Sequence, residues 1–181
     1  MLNNTQRTTL LQIARDSIAV VLEGRRLDLN QYPIDDDLRR PAGAFVTLND
    51  RDGELRGCIG SIEPVAPLFQ AVSSSAISAA FRDPRFSPVK RDEFPRLHLE
   101  ISVMGPILRV KDVNEIEVGR DGLIIRRGHN AGLLLPQVAT DYGWDRETFL
   151  AQTCVKAGLP STAWRSLDTR IEQFSAEVFG E

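Results

Sequence analysis

The apolar residues near the start of the chain recur at the spacing of an amphipathic helix. Leucine, isoleucine, valine and alanine return every three or four positions across residues 5–23, and Gly24 follows where such a helix would stop. The pattern predicts one helix that opens the protein. Residues 25–40 are rich in charge and precede Pro41, which predicts an extended surface connection.

A β-hairpin, a helix and a strand are predicted next. Residues 43–48 have the composition of a strand, turn-forming residues fill positions 49–53, and the chain then returns through residues 55–59. Small apolar and serine side chains at helical spacing across residues 68–80 predict a helix that packs closely on a sheet. Aliphatic and polar residues alternate across residues 97–104, which predicts a half-buried strand.

The second half of the chain has the pattern of a hairpin in a secondary lobe, followed later by a closing strand or mixed extended segment. In chain order it predicts a short strand at 107–110, a hairpin of residues 116–118 and 123–125, a loop at 128–132, a helix at 146–157 that ends at Gly158, and an extended segment at 169–179. Cys154 repeats with the apolar positions of that helix and is predicted to be a packing residue.

Composition and charge narrow the class of protein. The chain has 181 residues, 42% of them hydrophobic and 26% charged, which suits one folding unit with a sizeable core. Its formal net charge of -3 gives no general attraction to nucleic acid. Charged residues interrupt the N-terminal apolar segment, so we expect no membrane span, and two distant cysteines suit a reduced, cytoplasmic protein.

Metal and cofactor sites are not predicted. The triplet Asp35-Asp36-Asp37 is interpreted as a solvated surface cluster, because adjacent carboxylates on an irregular loop seldom converge on one ion. The two cysteines have no ligand partners at the spacing of a zinc module. The glycines at 128–132 also lack the spacing of a phosphate-binding loop.

The strongest candidate for chemistry is a thiol between two glycines. Gly57 and Gly60 flank Cys58, and glycine lets another segment or a ligand approach the backbone closely. Arg56 would stabilise the thiolate if the two side chains share a face of the strand, and the helix over residues 68–80 could add its N-terminal dipole. The alternative is that Cys58 is a small buried hydrophobic residue at a strand end.

A second polar segment lies in the loop at residues 81–88. It is stiffened by two prolines and suits either ligand binding or internal bracing, in which Asp83 pairs with an arginine and Phe86 fills the core. Glu100, on the polar face of its predicted strand, would need a partner such as Arg56 or Arg85 if that face is covered.

Several ordered motifs together resemble one family. They lie at residues 55–60, 83–86, 100–103, 135–139, 143–144 and 154–159. The chain resembles the AMMECR domain family and, within it, the prokaryotic branch called AmmeMemoRadiSam system protein A. The resemblance implies an α+β fold over residues 1–181 as a single domain: a larger lobe with an antiparallel sheet flanked by helices, a smaller β-rich lobe, and a cleft between them.

The resemblance implies no settled reaction, but it implies a Memo-like dioxygenase-fold protein and a radical SAM protein as partners. Three hypotheses follow: an enzyme or catalytic subunit that uses Cys58 in the cleft, a non-catalytic substrate-binding or adaptor module, and a purely structural signature. Lys156 would hold an anion in the cleft or, alternatively, interact with the carbonyl groups at the end of its own helix. Beside catalytic Cys58, the candidate binding residues are Arg56, Gly57, Gly60, Asp83, Arg85, Glu100, Gln137 and Lys156.

Overall fold

The computed structural model describes residues 1–181 and contains five α-helices and seven β-strands. In chain order these are α1 (Asn4–Leu22), α2 (Asp36–Arg39), β1 (Ala44–Asn49), β2 (Leu55–Ser61), α3 (Leu68–Phe81), β3 (His98–Met104), β4 (Leu108–Arg109), β5 (Asp121–Arg127), β6 (Asn130–Leu134), α4 (Pro136–Asp141), α5 (Arg146–Lys156) and β7 (Arg170–Gly180). All the strand pairs described below are antiparallel, and helices flank the sheet, so the predicted α+β class is confirmed.

The chain forms two compact units. The first comprises residues 1–104 and 177–181, and the second comprises residues 105–176. None of the helices combines the length and apolarity that crossing a bilayer requires.

Local sequence signals explain how α1 begins and ends. The side-chain oxygen of Asn3 accepts a hydrogen bond from the backbone N–H of Gln6, and the side-chain oxygen of Gln6 accepts one from the backbone N–H of Asn3. The two bonds form a capping box. Gly24 adopts a positive φ of 72° just after the helix, where a residue with a Cβ would be strained.

The first unit packs α1 and α3 on one face of a sheet in which β1 lies between β2 and β3. The buried side chains of this face alternate along the strands, as the sequence pattern predicts. The hydroxyls of Ser17 and Ser73 satisfy each other at 2.7 Å within the helix pair. The core consists mainly of Leu10, Ile13, Ala14 and Ile18 of α1, Val72, Ala76 and Ala79 of α3, and Val46, Leu48, Leu99 and Ile101 of the sheet.

The segment before β1 is less extended than the sequence predicts. It contains a short 3-10 turn at Leu29–Gln31 and helix α2. Asp35 caps α2 by accepting a hydrogen bond from the backbone N–H of Leu38, and it also accepts one from Gln6. This aspartate therefore stabilises a helix start.

The second unit corrects the predicted hairpin. Residues 116–118 form no strand, and β5 pairs instead with β6 across a turn at Gly128, whose φ is 58°. The predicted loop at 128–132 is thus mostly strand. The sequence pattern places Gly132 in a loop, but the structure places it in β6. An added Cβ there would lie 2.3 Å from the backbone nitrogen of Ala157, so this glycine permits close packing of α5 on β6.

Candidate functional site

The glycine-flanked cysteine lies on β2, the edge strand of the first unit's sheet. Its neighbours on β1 follow a regular register at Thr47 and Leu48, which face Cys58 and Gly57. The register then shifts, so that Asn49 faces Leu55, and no residue of β1 lies opposite Arg56. Arg56 therefore occupies a β-bulge, and a bulge redirects the side chain that it carries.

Gly57 faces the helices. A Cβ added to it would lie 2.3 Å from the carbonyl oxygen of Ala79 in the last turns of α3, which is far inside van der Waals contact. The glycine therefore lets helix and strand backbones approach each other. It also shows that the C-terminal half of α3, rather than its N-terminus, adjoins the motif, so the predicted dipole contribution to Cys58 is wrong.

Cys58 lies on the opposite face of the sheet, in a row that crosses three strands. Thr47 is its direct partner on β1, and Glu100 is the partner of Thr47 on β3. The Thr47 hydroxyl donates a hydrogen bond to Cys58 Sγ at 3.3 Å. All three residues are half-buried, so Cys58 is neither sealed in the core nor freely exposed.

Asp83 and Arg85 hold the backbone of Cys58 from the outer side of β2. The Asp83 carboxylate, only 4% exposed, accepts the Cys58 N–H at 2.9 Å, and Arg85 Nη2 donates to the Cys58 carbonyl at 3.3 Å. Arg85 also binds Asp83 through Nε at 3.0 Å and Nη2 at 2.7 Å. These contacts form a clamp, which we call the Asp83–Arg85 clamp, and they realise the bracing alternative for this loop.

The clamp has a clear electrostatic signature. Hydrogen bonds from the Arg85 guanidinium hold the pKa of the Asp83 carboxyl well below its usual range, and backbone N–H donors reinforce the effect despite burial. The same pairing raises the pKa of Arg85, and Cys58 adds a smaller coulombic contribution. Arg85, rather than Arg56, is thus the arginine that contacts the Cys58 backbone.

Arg56 has a different role from the predicted one. Its Nε and Nη2 donate to the two carboxylate oxygens of Glu93 at 3.0 and 2.9 Å, and Nη2 also donates to the Ser87 carbonyl. These bonds from Arg56 lower the pKa of Glu93. The expectation that Arg56 faces the thiol is wrong, because the bulge directs its guanidinium to Glu93.

Phe86 does not fill the core as predicted. Its ring is half-buried, and the guanidinium carbons of Arg56 and Arg85 lie 6.0 and 5.4 Å from its centroid. Glu100 pairs with neither arginine and forms no ion pair or hydrogen bond in the structure.

Gly60 also serves packing. An added Cβ would lie 2.3 Å from the Ala44 carbonyl oxygen and 2.5 Å from the ring of Phe45, so a larger residue would displace β1. Gly57 and Gly60 thus contact protein on opposite faces of β2. Neither glycine leaves an empty cradle for a ligand.

The remaining candidates lie in the second unit. Gln137 is in the first turn of α4, and its side-chain oxygen is buried without a hydrogen-bond partner. Lys156 is exposed at the last position of α5. Cys154 is fully buried, and burial raises the pKa of its thiol, as suits a packing residue.

The sequence reasoning missed Thr47 and Glu93. Thr47 gave no usable signal, because its pairing with Cys58 depends on the register shift between Leu48 and Asn49, and regular counting across the turn would place residue 46 there. Glu93 is 37 residues from Arg56 and gave no local signal.

A first prediction is that Arg56 contributes to stability but not to the reactivity of the Cys58 thiol. Replacing Arg56 with Met should lower the free energy of unfolding by about 1–2 kcal/mol, because it removes charge-assisted hydrogen bonds to a half-buried carboxylate. The rate at which iodoacetamide alkylates native Cys58 should stay unchanged. Urea denaturation and intact-mass labelling measure the two effects, and Arg51→Met is the exposed control. Loss of alkylation in a folded Arg56→Met variant would contradict this assignment.

The fold and the site together define an α+β protein whose edge strand carries a braced thiol, in a row with a hydroxyl on the next strand and a carboxylate on the strand after it. The AMMECR1 family matches residues 11–179, and the chain belongs to that family. It is 46% identical to a protein of Methanothermobacter thermautotrophicus, over 99% of this chain and 96% of that protein. It is also 42% identical to a protein of Methanocaldococcus jannaschii, over 100% of this chain and 92% of that one.

A solved structure agrees with this assignment. The crystal structure of an uncharacterized protein from Pyrococcus horikoshii matches with a TM-score of 0.84 and 43% sequence identity. The match covers 95% of this chain and 89% of that protein.

Proposed function

We propose that the protein acts through the thiol of Cys58, as an enzyme or as the catalytic subunit of a larger one. The observation that carries this proposal is the placement of the sulfur. It is half-buried on the sheet face opposite the helices, held by Thr47 at the side chain and by the Asp83–Arg85 clamp at the backbone. A nucleophile fixed in this way needs little reorganisation when it reacts.

The chemistry proposed is attack by sulfur on an electrophilic centre of a small molecule, nucleotide or modified protein. A bond from sulfur to that centre forms as the S–H bond and the bond to the substrate's leaving group break; the leaving group departs with the electron pair, and the thiol proton passes to solvent. Arg85, whose side chain is 55% exposed, is suited to hold an anionic group of the substrate. Glu100 is suited to orient a donor or to move a proton.

Partners are proposed on family membership. The resemblance to AmmeMemoRadiSam system protein A supports a Memo-like protein and a radical SAM protein as partners. Affinity capture with the tagged chain, against those two proteins expressed from the same genome, tests this part. If the tagged chain retained neither protein at micromolar concentration, the proposal of these two partners would be wrong.

A non-catalytic binding or adaptor module is the second candidate, and one observation favours it. No basic side chain hydrogen-bonds to the sulfur, whose hydrogen bond comes from a hydroxyl alone. Under this alternative, Cys58→Ala should fold and still capture the partners. Enlarging Gly60 cannot decide between the two functions, because a Cβ there would also disturb β1.

The reactivity of the thiol tests the catalytic proposal. We expect iodoacetamide to label Cys58 in the folded protein at a rate similar to that of a free thiol, while Cys154 reacts only after unfolding because it is fully buried. Intact-mass spectrometry measures both rates, and Cys58→Ser identifies the site. A Cys58 that labels about 100-fold more slowly than in the unfolded chain would overturn the catalytic proposal.

A further inference from the structure

Two opposite charges flank the thiol along the direction that crosses the strands. Arg85 contacts the outer edge of β2 at the Cys58 carbonyl. Glu100 lies on the other side, with Thr47 between it and Cys58 in the same row. Two strand spacings separate Cys58 from Glu100, which places their Cα atoms about 10 Å apart.

Neither charge is fully used within the protein. Glu100 is half-buried and has no hydrogen-bond or ion-pair partner, and its carboxylate oxygens are open to solvent, so a ligand can reach them. Arg85 uses Nε and Nη2 on Asp83 and on the Cys58 carbonyl, but its Nη1 makes no hydrogen bond. The Asp83–Arg85 clamp fixes the guanidinium plane, so this remaining donor edge is pre-oriented.

We propose that this row binds a small dipolar ligand that carries an anionic and a cationic group. The carboxylate of the ligand binds Arg85, its ammonium group binds Glu100, and its chain lies across Thr47 and Cys58. The inference rests on the proposed function, which it deepens by naming the substrate class: amino acids with a spaced amine, or short peptides. Opposite charges at the two ends also fix the direction in which such a ligand lies.

Protection of Cys58 from alkylation tests the inference. The probe is 6-aminohexanoate, and the matched controls are hexanoate and hexylamine, each of which carries only one of the two charges. At a concentration about ten times its dissociation constant, the dipolar probe should slow iodoacetamide labelling about tenfold. Each single-charge control forms one charged contact fewer, so its dissociation constant should be about two- to fivefold higher than that of the dipolar probe, and it should protect correspondingly less at the same concentration.

Two variants assign the ends of the ligand. Glu100→Gln breaks no contact in the structure, so it should fold normally and should lose the preference for 6-aminohexanoate over hexanoate. Arg85→Gln should lose the preference over hexylamine, with circular dichroism as the check that removing one member of the clamp leaves the fold intact. Because Glu100→Gln is structurally neutral, it decides the question even if Arg85→Gln unfolds.

The outcomes separate this inference from the proposed function. Equal protection by all three compounds, or protection that Glu100→Gln leaves unchanged, overturns the dipolar ligand while Cys58 remains reactive. A native Cys58 that does not react overturns the proposed catalysis instead. In that case calorimetric titration of the three compounds into the wild-type protein decides the inference, and equal or undetectable binding of 6-aminohexanoate overturns it.

Discussion

Gly57→Ala should lower the free energy of unfolding by about 2–3 kcal/mol, the upper part of the range for overpacking in a well-packed region. The added methyl would lie 2.3 Å from the Ala79 carbonyl oxygen. The nearest atoms all belong to the backbone of Ala79, which cannot move aside as a flexible side chain can. Either α3 must lift from the sheet or β2 must bend. Urea denaturation followed by circular dichroism measures the change.

Gly180→Ala is the matched control for this substitution. A Cβ there would meet the Leu99 carbonyl oxygen at 3.1 Å, which is tight but requires only a small shift. We expect a loss of less than about 1 kcal/mol. If Gly57→Ala destabilised the protein no more than Gly180→Ala, the close helix–strand approach could not be the reason for glycine at position 57.

Asp83→Asn should lower the free energy of unfolding by about 2–3 kcal/mol, because it removes a buried charge that accepts four hydrogen bonds. Each carboxylate oxygen of Asp83 accepts two donors. Whichever way the amide is turned, its NH2 group therefore faces two donors and leaves them unsatisfied: either the backbone N–H and Nε of Arg85, or the Cys58 N–H and Nη2 of Arg85. Asp52→Asn, in an exposed turn, is the control.

The same variant should change the pH dependence of stability. The pKa of Asp83 is lower in the folded protein than the value near 3.9 of an unfolded chain, so its contribution is complete above about pH 4. The contribution declines as the pH falls from there and is lost once the pH passes below the folded-state pKa. Stability curves of wild type and Asp83→Asn should converge as the pH is lowered from 5 to about 2. Parallel curves over that interval would refute this account of the clamp.

Local signals predicted the three longer helices, α1, α3 and α5, and most of the strands, but not the short helices α2 and α4. The ends of α1 are encoded within a few residues by Asn3, Gln6 and Gly24, so they can be read without tertiary information. The pairing of Asp83 with Arg85 is equally local, since the two residues are separated by a single proline.

The orientation of Arg56 could not be predicted in this way. It depends on a bulge that shifts the register between β1 and β2 and on Glu93, which is distant in sequence. The second-unit hairpin was misplaced for a related reason. Position 132 requires glycine because α5 packs against it. Composition cannot distinguish such a packing glycine from a turn glycine.

The Asp83–Arg85 clamp has one more consequence, for self-association. An edge strand normally offers a line of free N–H and C=O groups on which another chain can add as a further strand. At Cys58 both of these groups are already taken, one by a carboxylate and one by a guanidinium. The interaction that braces the thiol therefore also blocks the middle of β2 against intermolecular sheet growth.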